Sequence, residues 1–247
     1  MSILTVKRSL LLSKGSPWTQ GLVAYWKLDE ASGVAVDAWG VNHLTDNNTV
    51  TSGAGQVGTA RQFTAANLEY LSVADNPNLD ATTQFSLMGW AYADTTAQRC
   101  MVSKWAYATD GCFAFQILNS GANFFWKTFL ATSATDDGTG CSATDDSAFY
   151  SIATWYHLAL IYDGVLTGNS NRLKLYVNGV QKTLTFAGTV PASLQNSGAA
   201  LEFSRFQGLS RYWDGRLDEW GFWSRALTAA EVVSARDSGL AGQPMPI

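Results

Sequence analysis

Glutamate, histidine, cysteine and proline are all scarce in this chain of 247 residues. The five glutamates are Glu30, Glu69, Glu202, Glu219 and Glu231, and none stands in a Glu-x-Asp-x-x-Glu pattern. Glycan hydrolysis by retention or inversion needs two carboxyls facing each other across a cleft, and no strand face in the sequence offers such a pair. The two histidines, His43 and His157, have no Gly-x-Ser-x-Gly or comparable nucleophile motif beside them. His157 lies in an apolar segment and reads as a satisfied core residue. The three cysteines, Cys100, Cys112 and Cys141, include no Cys-x-x-Cys pair, so zinc has no support. One disulfide plus a thiol and three thiols both stay open. Charged residues make up only 15% of the chain and the net charge is -4, which leaves nucleic-acid binding without an electrostatic basis. No apolar run approaches membrane-spanning length, so insertion into a bilayer is not expected. The early run Leu10 to Leu12 is too short for a signal-peptide core, and the basic pair Lys7-Arg8 follows the first apolar patch instead of preceding it. The N-terminus therefore reads as mature protein, with residues 1–16 an arm or tail ahead of one domain over 17–247.

What the chain does have is aromatics and turns: 10 Trp, 12 Phe, 9 Tyr and 22 Gly. Short β-type runs recur between turn signals, eleven in all, from Leu22–Leu28 through Asn123–Leu130 to Arg211–Trp223. Asn178-Gly179 separates two of them and is a two-residue hairpin signal. The pattern predicts an all-β domain, a two-sheet antiparallel jelly-roll sandwich with aromatics filling the space between layers. One short C-terminal helix is predicted over Ala229–Arg236. Its start is Thr228 as N-cap with Glu231 as capping-box partner, Leu227 and Val232 form a staple, and Gly239 is placed to end it. Residues 131–147 are almost free of large apolar side chains and repeat Ser-Ala-Thr-Asp-Asp at Ser133 and Ser142. They read as a long exposed acidic loop that would take a cation only if it is functional.

The last strand, Arg211 to Trp223, carries Asp218 inside an otherwise apolar segment. A carboxylate placed there needs an arginine, a set of backbone donors or a metal ion.

Five blocks, in order and spacing, resemble the laminin G-like group of the concanavalin A-like lectin/glucanase superfamily. They are Gly21-Leu-Val-Ala-Tyr-Trp-Lys-Leu-Asp-Glu-Ala-Ser-Gly33, Val36-Asp-Ala-Trp-Gly-Val-Asn-His-Leu44, Phe85-Ser-Leu-Met-Gly-Trp-Ala91, Trp155 to Gly164 with Leu173 to Gly179, and Gly215-Arg-Leu-Asp-Glu219 through Val232. The resemblance implies a jelly roll of the kind found alone or appended in bacteria and their phages. It also implies a structural calcium held by Asp37, the Asn42–His43 backbone and Asp218. Only one of the neighbours Asp218 and Glu219 is expected to face that ion. For function, the resemblance implies a non-catalytic adhesion module that binds a glycan or cell-surface polymer. Trp105, Tyr107, Trp126, Tyr212 and Trp213, near strand ends or in loops, are the candidate sugar platforms. Display on a virion or another extracellular surface is expected, with capsid proteins met through residues 1–16 and a homo-oligomer among the expected assemblies. A purely structural virion protein and a glycoside hydrolase are the alternative readings.

Overall fold

A computed structural model describes residues 17–80, 82–131, 133 and 140–247, with the side chains of 146–148 excepted. The arm assigned to residues 1–16 lies outside the described residues, as does most of the first Ser-Ala-Thr-Asp-Asp copy. The strands in chain order begin with β1 (Leu22–Trp26), β2 (Thr45–Asn47), β3 (Thr51–Ala54), β4 (Thr59–Phe63) and β5 (Tyr70–Val73). The long strands follow: β6 (Gln84–Ala93), β7 (Arg99–Ala106), β8 (Asp110–Ser120), β9 (Asn123–Leu130), β10 (Cys141–Tyr150) and β11 (Trp155–Asp163). A one-turn helix α1 (Asn169–Arg172) precedes β12 (Leu173–Val177), β13 (Val180–Gln181), β14 (Thr185–Gly188), β15 (Leu201–Phe203) and β16 (Gly215–Trp223). The chain closes with α2 (Ala229–Leu240).

The strands form two antiparallel sheets. The first runs β13-β12-β11-β6-β16-β4-β3, with β1 paired on β16 beyond β4. The second runs β14-β10-β9-β8-β7-β15-β5-β2. Between them lies the main core, where Phe85 stacks on Phe113 at 4.8 Å between centroids and Trp26 meets Phe203 edge-on at 5.2 Å. The all-β sandwich expected from the sequence is the observed architecture.

The two outward faces differ, and this difference positions the site. On the first sheet, Met88, Ala159, Ile161 and Trp223 are buried under Val232 and Ala235 of α2. That cover explains why β6 is apolar on both faces rather than alternating. On the second sheet, Cys100, Trp105 and Ala114 are buried beneath Phe206 of the 204–213 segment. The rest of that face, over β8, β9, β10 and β14, has no element packed on it among the described residues.

Local signals explain several elements. Asn178 and Gly179 take φ of 50° and 76° between Val177 and Val180, which are directly paired, as a type I′ hairpin requires. Thr228 accepts from the Glu231 amide at 3.3 Å while the Glu231 carboxylate accepts from the Thr228 amide at 2.7 Å, closing the capping box. Two expectations need correction. Gly239 does not end α2, which continues to Leu240. A Cβ at Gly239 would sit 2.5 Å from Trp90 Nε1, so the glycine serves helix-on-sheet contact. Residues 131–147 are not one long loop either, because β10 begins at Cys141 and pairs with both β9 and β14. Its small polar residues sit at alternate positions of a strand whose other face, at Cys141 and Ala143, is buried in the core.

Candidate functional site

Strand β9 alternates strictly: Phe124, Trp126, Thr128 and Leu130 are buried, while Asn123, Phe125, Lys127 and Phe129 are half-buried and face outward. Phe125 and Phe129 thereby give the outward face apolar surface that solvent partly reaches. Registration across the sheet then places its neighbours. Thr185 of β14 pairs with Thr144 of β10, Thr144 with Lys127, and Lys127 with Gln116 of β8. These four form one transverse row, because directly opposed residues share a face. The next row toward the sheet end joins Leu118 to Phe125. Phe149, 65% exposed, lies beside it with its ring 5.1 Å from that of Phe125 at 38°.

The result is a shallow groove of about 390 Å³ whose lining includes Leu118, Phe125, Lys127, Ser142, Thr144 and Thr185. Its chemistry is graded. One end is apolar and aromatic, the floor carries three hydroxyls, and Lys127 adds a cation beside them, with Arg211 nearby outside the lining. Lys127 Nζ sits 4.9 Å over the Phe129 ring. Arg211 donates from Nη1 to Gln116 Oε1 at 3.2 Å. Burial, then the neighbouring Arg211 charge, lowers the Lys127 ammonium below its ordinary value, and burial lowers Arg211 likewise. Two depressions of about 420 Å³ lie elsewhere. One is lined by Tyr25, Lys27, Ala38 and the chain's own 243–247 segment, the other by Trp39 and Pro77 among others. Volume does not separate the three. The groove on the second sheet is singled out by joining aromatic faces to a row of hydroxyl, ammonium and amide groups.

The residues that the sequence nominated fall differently. Trp105, Trp126 and Trp213 are 1%, 0% and 0% exposed and are core residues, not platforms. Trp126 packs against Phe124 at 4.9 Å and Trp105 against Phe206 at 5.6 Å, while Trp213 belongs to the main core. Tyr107 and Tyr212 keep part of their surface. Tyr107 packs edge-on to Phe206, and Tyr212 lies 6.3 Å from Tyr70, over which Arg205 stacks at 4.0 Å. None of the five lines the groove.

The implied calcium ligands are engaged within the protein. Asp37 Oδ1 accepts from the amides of Tyr25 and Trp39 at 3.0 and 2.9 Å, and Oδ2 accepts from Asn42 at 3.0 Å. The Asn42 carbonyl is taken by Trp26 Nε1 at 2.7 Å, and His43 Nδ1 accepts from the Asp37 amide at 3.0 Å. These groups knit the 37–43 loop onto β1. Asp218, 0% exposed, turns instead to the β3–β4 turn, where Oδ2 accepts from the Val57 amide at 2.9 Å and Oδ1 has no donor. Glu219 turns to Tyr25 Oη and the Met245 amide. The register of β16 slips between Asp218 and Gly221, with Glu219 at φ 55°. Among the described residues no group of three or more His, Cys, Asp or Glu is placed to hold a metal. His157 is in the core, as expected, but neither ring nitrogen has a partner. Cys100 and Cys112 are buried free thiols, with burial pushing Cys112 up to about 12.

Comparison with known proteins bears on this geometry. A laminin G-like family model, described as the concanavalin A-like lectin/glucanases superfamily, matches residues 65–233, which include every strand of the groove. No curated protein matches. Among solved structures the chain is similar to domain 4 of AbnA, an extracellular arabinanase from Geobacillus stearothermophilus, in complex with arabinotriose. The identity is 21%, over 86% of this chain and 96% of that one, with a TM-score of 0.59. It is also similar to Trypanosoma rangeli sialidase, at 11% identity over 90% of this chain and 34% of that one, TM-score 0.63. The binding domain of Paraclostridial Mosquitocidal Protein 1 aligns at 14% identity over 88% and 52%, TM-score 0.60. At these identities the likeness is one of fold.

Proposed function

Because the chain belongs to the concanavalin A-like lectin/glucanase superfamily, as a laminin G-like member, we propose that it is a non-catalytic module that binds a glycan in the groove over β8, β9, β10 and β14. The observation that carries this reading is the Phe125–Phe149 aromatic surface standing beside Ser142, Thr144 and Thr185 on one open sheet face. Aromatic rings stack on the apolar faces of sugars, while hydroxyls fix their hydroxyls in place. The arabinotriose bound by the arabinanase domain supports a short oligosaccharide as the kind of ligand.

The absence of catalysis is part of the proposal. All five glutamates are engaged away from the groove. Glu30 accepts from the Val36 amide, Glu69 from Thr64 and Asn67, and Glu202 pairs with Arg205. Glu219 accepts from Tyr25 and Met245, and Glu231 caps α2. A shallow groove of this kind binds weakly, so the proposed setting is a surface that presents many copies, a virion's or a cell's, where avidity multiplies single-site affinity.

A structural calcium also belongs to the proposal, with Asp218 as its ligand. Asp37 fits poorly, since three amides already point their positive ends at its oxygens. Asp218 Oδ1 is a buried carboxylate oxygen with no donor, and a cation there would offset its burial. Thermal unfolding in calcium and in chelator tests this. A Tm raised by calcium in the wild type but not in Asp218→Asn is expected; equal Tm values in the wild type contradict it.

The glycan reading is tested on a glycan array with wild type and Phe125→Ala, both checked for folding by circular dichroism. The wild type is expected to bind a subset of oligosaccharides and the variant to bind them about tenfold more weakly, on the order of 1.4 kcal/mol. A blank wild-type array contradicts the reading, as does a variant that binds unchanged.

A further inference from the structure

Resting on the glycan-binding reading, we infer that the ligand of this groove bears an anionic substituent, a carboxylate or a sulfate, seated between Lys127 and Arg211. Three observations carry it. First, both cations neighbour one buried amide, Arg211 by a hydrogen bond and Lys127 by strand register. Gln116 lies directly opposite Lys127 in the β8–β9 register, is 0% exposed, and accepts from Arg211 Nη1 at 3.2 Å. Its carbonyl is thereby used, and its Nε2 is left without an acceptor. A fully buried amide nitrogen without an acceptor is costly, and an oxygen brought in by a ligand relieves it. Secondly, neither Lys127 nor Arg211 has an ion-pair partner among the described residues, and the groove lining includes no carboxylate among them. Two partly buried like charges disfavour each other, and a single anionic group held by both removes the repulsion and adds charge-assisted hydrogen bonds. Thirdly, the ring of Phe129 under Lys127 and the ring of Phe206, 5.7 Å from the Arg211 guanidinium, hold both cations against apolar surface. Water competes less there for the anion than at an open surface.

The geometry also gives direction. The hydroxyls of Thr144 and Thr185 continue the same transverse row away from Lys127. With strands about 4.8 Å apart, the row from β8 to β14 spans about 14 Å. The charged substituent is thus at one end of the row, and neutral sugar hydroxyls lie along the rest.

The test is an array of paired glycans, each acidic oligosaccharide printed beside its neutral counterpart. Uronic acids are paired with their methyl esters and sulfated sugars with their desulfated forms. Wild type is expected to bind the acidic member of a pair at least about tenfold more tightly than the neutral one, the usual scale of a charge-assisted contact. Which set of pairs responds tells carboxylate from sulfate. Lys127→Ala and Arg211→Ala are each expected to lose at least about tenfold on the acidic member of a pair and less than that on the neutral member, so that the preference shrinks, and Lys127→Arg to keep the preference. Added salt shrinks the preference by screening. Equal binding of both members overturns this inference and leaves the groove reading intact, as does a preference that is undiminished in both alanine variants. Wild type blank on every pair overturns the groove reading as well. Circular dichroism and Tm of each variant separate lost binding from lost fold.

Discussion

Asp218 is a buried carboxylate with one oxygen that no donor reaches. Burial first, and the nearby Glu219 charge, push its carboxyl from the usual 3.8 up to about 8, against the pull of the Val57 amide. The folded form therefore holds its proton more tightly than the unfolded chain does. The stability this confers is fully present below the unfolded pKa near 4 and is lost as pH rises through 8. In chelator, wild-type Tm is expected to fall between pH 6 and 9, and Asp218→Asn to hold its Tm across that window. Parallel curves contradict the assignment. His157 works in the opposite sense. Burial, then the charge of Arg236, lowers it to about 3, so its contribution is present above pH 6.5 and is lost as pH falls through 6.5 toward 3. His157→Leu is expected to flatten the acid limb of the Tm curve, and an unchanged limb contradicts it.

At the scale of elements, α2 separates what sequence reveals from what it hides. Its start is written in local code: Thr228 and Glu231 need only each other, and the spacing alone announces them. Thr228→Ala is expected to cost about 1 kcal/mol, read as a lower Tm at unchanged fold. Gly239 looked like a stop signal by the same local logic, yet its partner is Trp90, far away on β6. Gly239→Ala is expected to lower Tm by more than Thr228→Ala, because the new methyl meets a packed indole and not solvent. A neutral Gly239→Ala contradicts that contact. The Asn178-Gly179 hairpin was legible for the same reason as the cap, since both residues serve the turn they form. Strand β10 was not. Ser142 and Thr144 read as loop because small hydroxyl residues seldom declare a strand, and their role became visible only once β9 and β14 were laid beside them. The tryptophans misled in the reverse direction. Trp105, Trp126 and Trp213 occupy the places where platforms stand in a linear map, but the sheet turns them inward. The signal that sequence did offer was the density of aromatics along β9, with Phe125 and Phe129 outward and Phe124 and Trp126 inward.

At the scale of the whole molecule, the two sheets bury one core between them, and α2 covers the outward side of the first. The outward side of the second is partly closed by the segment around Phe206, and among the described residues nothing packs on it over the other four strands. That asymmetry leaves one broad, rigid face on which aromatic, hydroxyl and cationic groups are held in register by backbone pairing and not by loops. The sandwich was legible from the periodicity of its strands, whereas the face was not, because it is made of residues distant in sequence that only strand order brings together. The most direct measurement is backbone amide shift mapping of the isotope-labelled protein during titration with the strongest oligosaccharide from the array. Shifts concentrated on β8, β9, β10 and β14, with Phe125, Lys127 and Thr144 among the largest, are expected. Shifts concentrated instead on the 37–43 loop, β1 and β16 would contradict the account.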